Sequence, residues 1–299
     1  MISNRDFEKV IKEIDDYIKK TEQPFKNIKI EKQKRYEKHL YNLEYFYFVT
    51  NYISSMRFEA KKNEVLINLF TKSALDLYGI FYCLKNGLEI QAQEIARCLY
   101  ETYLTVELLT KEDIEARLKL FNDFQHVQRG NQLKFHKETD PNADLHSFGL
   151  SNEYIESIEK KYIEVKDNYN PKNPINWAWF IFKDKLKKNQ NPTLLDICKY
   201  LGNDYVKEYI ITYPTLSITT HPSQILIEYY TNKIDDGCLT VVNSPRYSDL
   251  IVSTSSVSLM NCAKITENIL KYFKVYNYEE LIGFIEYFLY SDSKMNNNR

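Results

Sequence analysis

The sequence predicts an all-α protein, a multi-helix bundle of about nine to eleven helices with at most one small β-hairpin. Only 7 Gly and 8 Pro punctuate 299 residues, whereas a β-rich chain needs turn residues about every 8–12 positions. Hydrophobic residues make up 43% and charged residues 27%, as in ordinary folded globular chains. We therefore expect a single helical domain over residues 1–299.

Charge and cysteine content exclude several classes of protein. Forty basic residues oppose 41 acidic ones, so the formal net charge of −1 provides no global attraction to nucleic acid. The charged, helical start lacks a signal-peptide core, and the apolar stretch 65–84 carries Lys72 and Asp76, which disfavours a membrane span. The widely spaced cysteines predict reduced thiols of a cytoplasmic protein; they are Cys83, Cys98, Cys198, Cys238 and Cys262.

The first half of the chain divides into long helices separated by recognisable stop signals. Pro24 ends the first helix, Asn86-Gly87 forms a C-cap, and Asp140-Pro141 ends the fifth helix. The expected helices cover about residues 4–20, 31–58, 61–85, 89–109 and 112–137.

Shorter elements follow. Ser151 caps a helix to about residue 166, Thr193 with Asp196 forms a capping box for a helix ending at Gly202, and Asn203 caps the next, which Pro214 must end or kink. Residues 170–177 form a connection. Further helices are expected at about 221–232, 248–273 and 278–290, one short strand at 238–242, and a frayed tail at 291–299.

The first candidate site lies on the helix at 89–109, where Arg97 and Glu101 share one face because they are four residues apart. An exposed i,i+4 ion pair explains them structurally and stabilises a helix by only about 0.3–0.5 kcal/mol. The surrounding apolar residues favour a more interior position, where a charge needs a partner.

A second candidate is the polar stripe of Asp123, His126, Arg129 and His136 on the next helix. Arg129 and His136 form an Arg-x6-His spacing. This spacing resembles the loosest form of the signature of the helical HEPN ribonucleases, in which His acts as acid or base and Arg stabilises phosphate. Gly130 departs from the polar residue favoured there, and a solvated helix face explains the same stripe.

The third candidate is His221, which precedes Pro222 at a predicted helix start. The helix dipole disfavours its positive form, and a neutral imidazole suits a general base. A capping or hydrogen-bonded core histidine is the structural alternative. The sequence contains no phosphate loop, zinc-protease motif or paired-cysteine site, so no metal or cofactor is expected.

Three segments together resemble an uncharacterised bacterial family of helical proteins known only as a domain of unknown function. The segments are an Arg-x3-Glu helix, a Trp followed by a short helix ending in Leu-Gly, and a Tyr-rich helix leading into His-Pro-Ser. The resemblance covers about residues 65–230 and leaves the helices at 4–58 and 248–290 packed around that core. It implies that Arg97, Glu101 and His221 converge. The matching residues are Arg97, Glu101, Trp177 or Trp179, Leu201, Gly202, Tyr205, Tyr209, Tyr213, His221, Pro222 and Ser223.

The favoured hypothesis is a bacterial defence or toxin effector that cleaves RNA in a HEPN-like, metal-independent reaction. Arg97 contacts phosphate, His221 is the acid or base, and Glu101 orients one of them; Arg129 and His136 are the second choice. The partners implied are RNA, and a second copy or a cognate regulatory protein, without a membrane. The rival hypothesis is a non-catalytic binding or scaffold protein whose buried polar cluster only fixes helix register.

Overall fold

The structure, a computed structural model, describes residues 29–31, 33–58, 64–140, 151–187, 190–218, 231–233, 239–241, 248 and 250–296, with the isolated positions 12 and 16. Within these ranges it contains ten α-helices with defined bounds, further helical residues at 29–31 and 33–35, one 3-10 turn and two short strands. The helices are α1 Glu37–Ser54, α2 Glu64–Lys85, α3 Glu89–Lys111, α4 Ile114–Thr139, α5 Asn152–Val165, α6 Trp179–Phe182, α7 Leu194–Leu201, α8 Asn203–Ile218, α9 Leu250–Phe273 and α10 Tyr278–Asn296.

The all-α prediction is confirmed, including its small hairpin. Strand β1 Thr231–Lys233 pairs antiparallel with β2 Leu239–Val241, so that Asn232 lies opposite Thr240. The second strand was predicted, at residues 238–242, but the first was not. The reason is that the helix expected after His221 was extended to residue 232. No helix in the described ranges has the length and apolar character that a bilayer span requires.

Helix ends follow from local sequence where caps were predicted. Gly87 has φ 73°, and the Leu88 and Gly87 amides donate to the carbonyls of Cys83 (2.9 Å) and Leu84 (3.1 Å), the bond pair that satisfies the last carbonyls of a helix. The Thr193–Asp196 capping box starts α7, and the Ser151 hydroxyl accepts from the Tyr154 amide at the start of α5.

Two helices extend past positions at which the sequence placed a possible end. Helix α8 passes through Pro214 and continues to Ile218. Proline removes the bond to the carbonyl four residues earlier, and both Pro214 and Ile210 lie on the exposed side of α8, where water can replace that bond. Helix α10 continues through residues 291–296, which were predicted to fray. The predicted helix at 4–20 lies outside the described residues, apart from helical positions 12 and 16.

The hydrophobic core is centred on α3, which packs against α2, α9, α7, α8 and α4. Its buried face includes Ala92, Ala96, Leu99 and Tyr103, spaced by three and four residues as one side of a helix requires. Helix α9 packs in turn against α2 and α1. One continuous core cluster therefore contains residues from Tyr36 to Ile285.

The turn between α3 and α4 is held by a buried arginine. Asp113 has a left-handed φ of 44°. Arg117 on α4 donates to the Leu108 carbonyl near the end of α3 and to the Tyr200 hydroxyl on α7, both at 2.6 Å. It thus satisfies one of the carbonyls that a helix end leaves without a partner.

Helices α4 and α5 form a side layer with its own small core of Phe124, Val127, Val165 and Tyr169. They approach closely at Gly130, where an added Cβ would lie 2.7 Å from the Cβ of Tyr162 on α5. The glycine after Arg129 therefore has a packing role.

We expect Gly130→Ala to lower the free energy of unfolding by about 1–3 kcal/mol relative to Gly283→Ala, because the new methyl group overpacks the α4–α5 contact. Gly283 is the matched control, since it also lies in a helix but has no atom within 4 Å of an added Cβ. Both changes gain the same helix propensity, so the difference in urea unfolding isolates the steric cost. Equal stability of the two variants would show that α5 moves away freely.

Candidate functional site

Arg97 lies at a partly exposed position between α3 and α8. Its Nε donates to Glu101 Oε1 at 3.1 Å, and its Nη2 donates to the Tyr213 hydroxyl at 2.9 Å. The guanidinium carbon also lies 5.1 Å from the centre of the Tyr213 ring. The Arg97 side chain is 21% exposed and that of Glu101 is 42% exposed. The pair is thus neither a free surface ion pair nor a fully buried one.

Three tyrosines lie on one side of α8, and two of them, Tyr205 and Tyr213, contact α3. Tyr205, Tyr209 and Tyr213 are spaced by four residues and therefore share one side of α8. The Tyr205 ring stacks with Tyr103 at 6.1 Å, and Tyr209 stacks with Tyr213 at 5.0 Å with an interplanar angle of 16°. This side of α8 therefore carries a tyrosine ladder, defined as Tyr205, Tyr209 and Tyr213.

A polar network continues from the ladder into the interface with α9. The Tyr205 hydroxyl donates to Glu107 Oε2 at 2.7 Å, and Asn268 Nδ2 on α9 donates to Glu107 Oε1 at 2.9 Å. Lys264 Nζ donates to the Tyr103 hydroxyl at 3.2 Å and lies 3.8 Å from Glu208 Oε2. Charged side chains from α3, α8 and α9 therefore meet further along α3, where Glu107 lies ten residues, or about 15 Å, beyond Arg97.

The environment of this network sets its protonation. Burial raises the pKa of Glu208, the nearby Glu107 carboxylate raises it further, and Lys264 only partly offsets both effects. Burial, together with Glu208 and Glu107, raises the pKa of Tyr103. Burial likewise raises the pKa of the Cys198 thiol to about 11. At neutral pH the tyrosine remains protonated, and Cys198 lacks the thiolate that nucleophilic chemistry needs.

The structure brings together part of the predicted site. Arg97 and Glu101 are in contact, and Tyr213 from the Tyr-rich helix joins them. His221 lies outside the described residues, so its convergence with Arg97 stays a prediction. Helix α8 ends at Ile218, three residues before His221 in the sequence.

The second-choice pair lies apart on α4. Arg129 and His136 are both exposed. Arg129 lines an open groove of about 520 Å³ with Pro174 and Ile175, whereas the His136 ring packs against Phe135 at 6.3 Å. Asp123, which belongs to the same predicted polar stripe on α4, forms an ion pair with Lys119. Within the described residues these side chains do not join the Arg97 network.

Glu107, Glu208, Lys264 and Asn268 were missed by sequence reasoning. The signal available for the two glutamates is position, because Glu107 and Glu208 each lie one helical turn after a tyrosine, Tyr103 and Tyr205 respectively. Among the described residues, no group of three or more His, Cys, Asp or Glu side chains is placed to hold a metal ion.

Comparison with known proteins identifies the family. Residues 63–237 match a family of unknown function, DUF5677. The chain belongs to this family. The match begins just before α2 and ends at a position between β1 and β2 in the sequence, so it contains both Arg97 and the tyrosine ladder. No curated protein and no solved structure matches the chain.

The family region is completed by a helix outside it. Helix α9 follows the DUF5677 match, yet it packs against α2 and α3 and supplies Lys264 and Asn268 to the polar network. Glu107 and Glu208 therefore come from the DUF5677 region, whereas Lys264 and Asn268 lie outside it.

Glu208→Gln is expected to raise the melting temperature at pH 7. The folded-state pKa of Glu208 is raised above its unfolded value of 4.5, so the native state binds its proton more tightly. The free energy of unfolding therefore falls as pH rises from about the pKa of Glu208 in the unfolded state through its higher pKa in the folded state. The gain from Gln should grow as pH rises above the unfolded pKa and vanish below about pH 4.

Thermal unfolding followed by circular dichroism between pH 4 and pH 8 measures this effect. Glu94→Gln is the control, because Glu94 lies on the exposed side of α3, and it should change little at either pH. A Glu208→Gln variant that is less stable than wild type at pH 7 would mean that the Lys264 pairing outweighs burial.

Proposed function

We propose that this DUF5677 chain is an effector of a bacterial defence or toxin system that cleaves RNA without a metal ion, at a site formed by Arg97, Glu101 and His221. The observation that carries the proposal is the position of Arg97. Its guanidinium is oriented by Glu101 and Tyr213 yet remains partly exposed, and α8 ends three residues before His221. Three residues span at most about 10 Å, which sets the greatest distance of His221 from the end of α8.

Each residue has a chemical role in this proposal. Arg97 binds the phosphate, because a guanidinium oriented in advance stabilises the charge that develops on phosphoryl oxygens. His221 takes the proton from the 2′-hydroxyl or gives one to the leaving 5′-oxygen. Glu101 accepts a hydrogen bond from Arg97 Nε, and this contact fixes the plane of the guanidinium.

The tyrosine ladder supports single-stranded RNA as the substrate. Tyr209 and Tyr213 are both partly exposed and stack on each other beside Arg97. Unpaired bases stack on aromatic side chains, and each such contact typically contributes about 1–3 kcal/mol to binding. An arginine beside two tyrosine rings thus suits a phosphate and its adjoining base.

The Glu208–Lys264 network is the observation that favours the rival function. A partly buried polar network that joins three helices can serve only to fix their register, and Tyr213 could then orient Arg97 for structural reasons alone. In that case the chain is a binding or scaffold protein, and Arg97 is part of its α3–α8 contact.

The two functions predict different results for Arg97→Ala and His221→Ala. If the chain cleaves RNA, both variants should lose about 10²–10⁴ in cleavage rate, as expected when a positioned acid–base or phosphate ligand is removed. Arg97→Ala should destabilise the fold by only about 1 kcal/mol, because the remaining Glu101 carboxylate is 42% exposed and stays hydrated. Cleavage of labelled single-stranded RNA in chelator, with melting temperatures alongside, measures both effects.

Arg129→Ala and His136→Ala are matched controls and should keep full activity. If instead they abolish cleavage, the site is the second-choice pair on α4. Wild-type protein that is inert toward RNA, together with an Arg97→Ala variant that unfolds, would establish the scaffold function.

Tyr209→Ala tests the stacking role separately from chemistry. Binding of a 2′-deoxy oligonucleotide, which lacks the attacking hydroxyl, should weaken about 5- to 100-fold when one stacking ring is lost. Fluorescence anisotropy measures this affinity. Tyr154→Ala, which removes an exposed tyrosine on α5, is the control and should bind as wild type does. Equal affinities for all three proteins would remove the tyrosine ladder from the substrate path.

A further inference from the structure

The outer side of α1 is aromatic although it faces solvent. Tyr41, Tyr45, Phe48 and Tyr52 follow steps of four, three and four residues and so form one stripe. Phe48 and Tyr52 are each 61% exposed. The opposite side of the same helix is buried in the core through Leu43 and other residues. Helix α1 is therefore apolar on two sides, which a helix covered on only one side does not need.

The stripe continues onto both neighbouring helices. Tyr47 stacks with Tyr78 of α2 at 4.6 Å. On the other flank Tyr45 stacks with Phe288 of α10 at 5.6 Å, and Phe288 stacks with Phe284 at 6.3 Å. These contacts join the exposed rings of three helices into one surface, called here the aromatic face. It consists of Tyr41, Tyr45, Phe48, Tyr52, Tyr78 and Phe284, together with Tyr82, which lies one helical turn after Tyr78 on α2.

The area of this face matches that of a protein interface. Aromatic side chains bury about 150–250 Å² each when covered. Seven rings, each roughly half-exposed, therefore present on the order of 700 Å². The largest apolar patch on a typical monomer is about 300–600 Å², and a partner in a standard interface contributes about 800 Å². The face is large enough for a stable dimer once its polar rim is added.

The spacing of the stripe specifies a helix as the partner. Steps of four and three residues are those of knobs-into-holes packing, in which each side chain fits between four residues of a facing helix. A second α1 supplies the same spacing. A two-fold axis that crosses α1 between Tyr45 and Phe48 places Tyr41 of one copy opposite Tyr52 of the other, as a self-complementary contact requires.

Charge favours a second copy over a membrane or nucleic acid. The rim of the face carries both signs, with Lys34 and Lys38 beside Glu37 and Glu44. The whole chain has a formal net charge of only −1, so two copies repel each other little. An anionic lipid surface or a polynucleotide would instead require a basic rim.

We propose that this protein forms a two-fold symmetric homodimer through the aromatic face, with α1 of each copy packed against α1 of the other. Helix α1 packs on α2 and α9, whereas Arg97 lies between α3 and α8. The dimer therefore leaves both Arg97 positions outside the interface, and its existence does not depend on the chemistry at Arg97.

Sedimentation velocity at about 10–100 µM, a range in which a micromolar dimer is populated, tests the proposal. Wild type should sediment with twice the protomer mass of 35.7 kDa. The double variant Phe48→Glu/Tyr52→Glu should be monomeric, with a dissociation constant raised at least about 100-fold, because it places four carboxylates in the interface, two of them close to the two-fold axis. Phe135→Glu is the matched control, since Phe135 is 63% exposed on α4, and it should remain dimeric.

Far-UV circular dichroism checks that the variants stay helical. If the double variant does not, Phe48→Ser alone repeats the test with an expected weakening of at least about 10-fold. A monomeric wild type overturns the proposal, and flotation of that monomer with anionic vesicles would assign the face to a membrane surface. A wild-type dimer whose dissociation constant is unchanged by Phe48→Glu/Tyr52→Glu overturns it as well.

Discussion

The burial of α3 is the constraint on which the rest of the structure depends. This helix is covered by α2, α9, α7, α8 and α4, so its polar side chains need partners inside the protein. Glu89 accepts from the amide and hydroxyl of Ser248, Arg97 bonds to Tyr213, and Glu107 accepts from Tyr205 and Asn268. Each of these contacts ties α3 to a helix or segment distant in the sequence.

Those contacts also explain why polar and aromatic residues coincide at the candidate site. Tyrosine can cover an apolar side and still place a hydroxyl beside a carboxylate or a guanidinium. On α8 the tyrosine ladder does both, because its rings stack along α3 while the Tyr205 and Tyr213 hydroxyls reach Glu107 and Arg97. Glu208 is the exception, since burial raises its pKa and Lys264 offsets that only in part. A carboxylate that lowers the stability of the fold in this position is typical of functional sites, where perturbed pKa values are common.

The molecule presents two surfaces that simple packing does not require. One is the partly exposed Arg97 beside the tyrosine ladder, and the other is the aromatic face on α1. They belong to different helix layers, since α1 packs on α2 and α9 while Arg97 lies between α3 and α8. The proposed self-association and the proposed chemistry can therefore be tested separately by mutation, and the aromatic face contains many of the exposed tyrosines.

The sequence by itself determined the helices, most of their ends and the identity of the Arg97–Glu101 pair. These features depend on residues within about four positions of each other, as in the Thr193–Asp196 capping box, the Gly87 cap and the i,i+4 spacing. Tertiary structure alone decided that Tyr213, 116 residues away, completes the environment of Arg97, and that Lys264 meets Glu208. It also let α8 continue through Pro214, on a side that water can reach. The physical reason is that helical periodicity tells which side of a helix is apolar, but the helix that covers this side is selected by packing between segments distant in the chain.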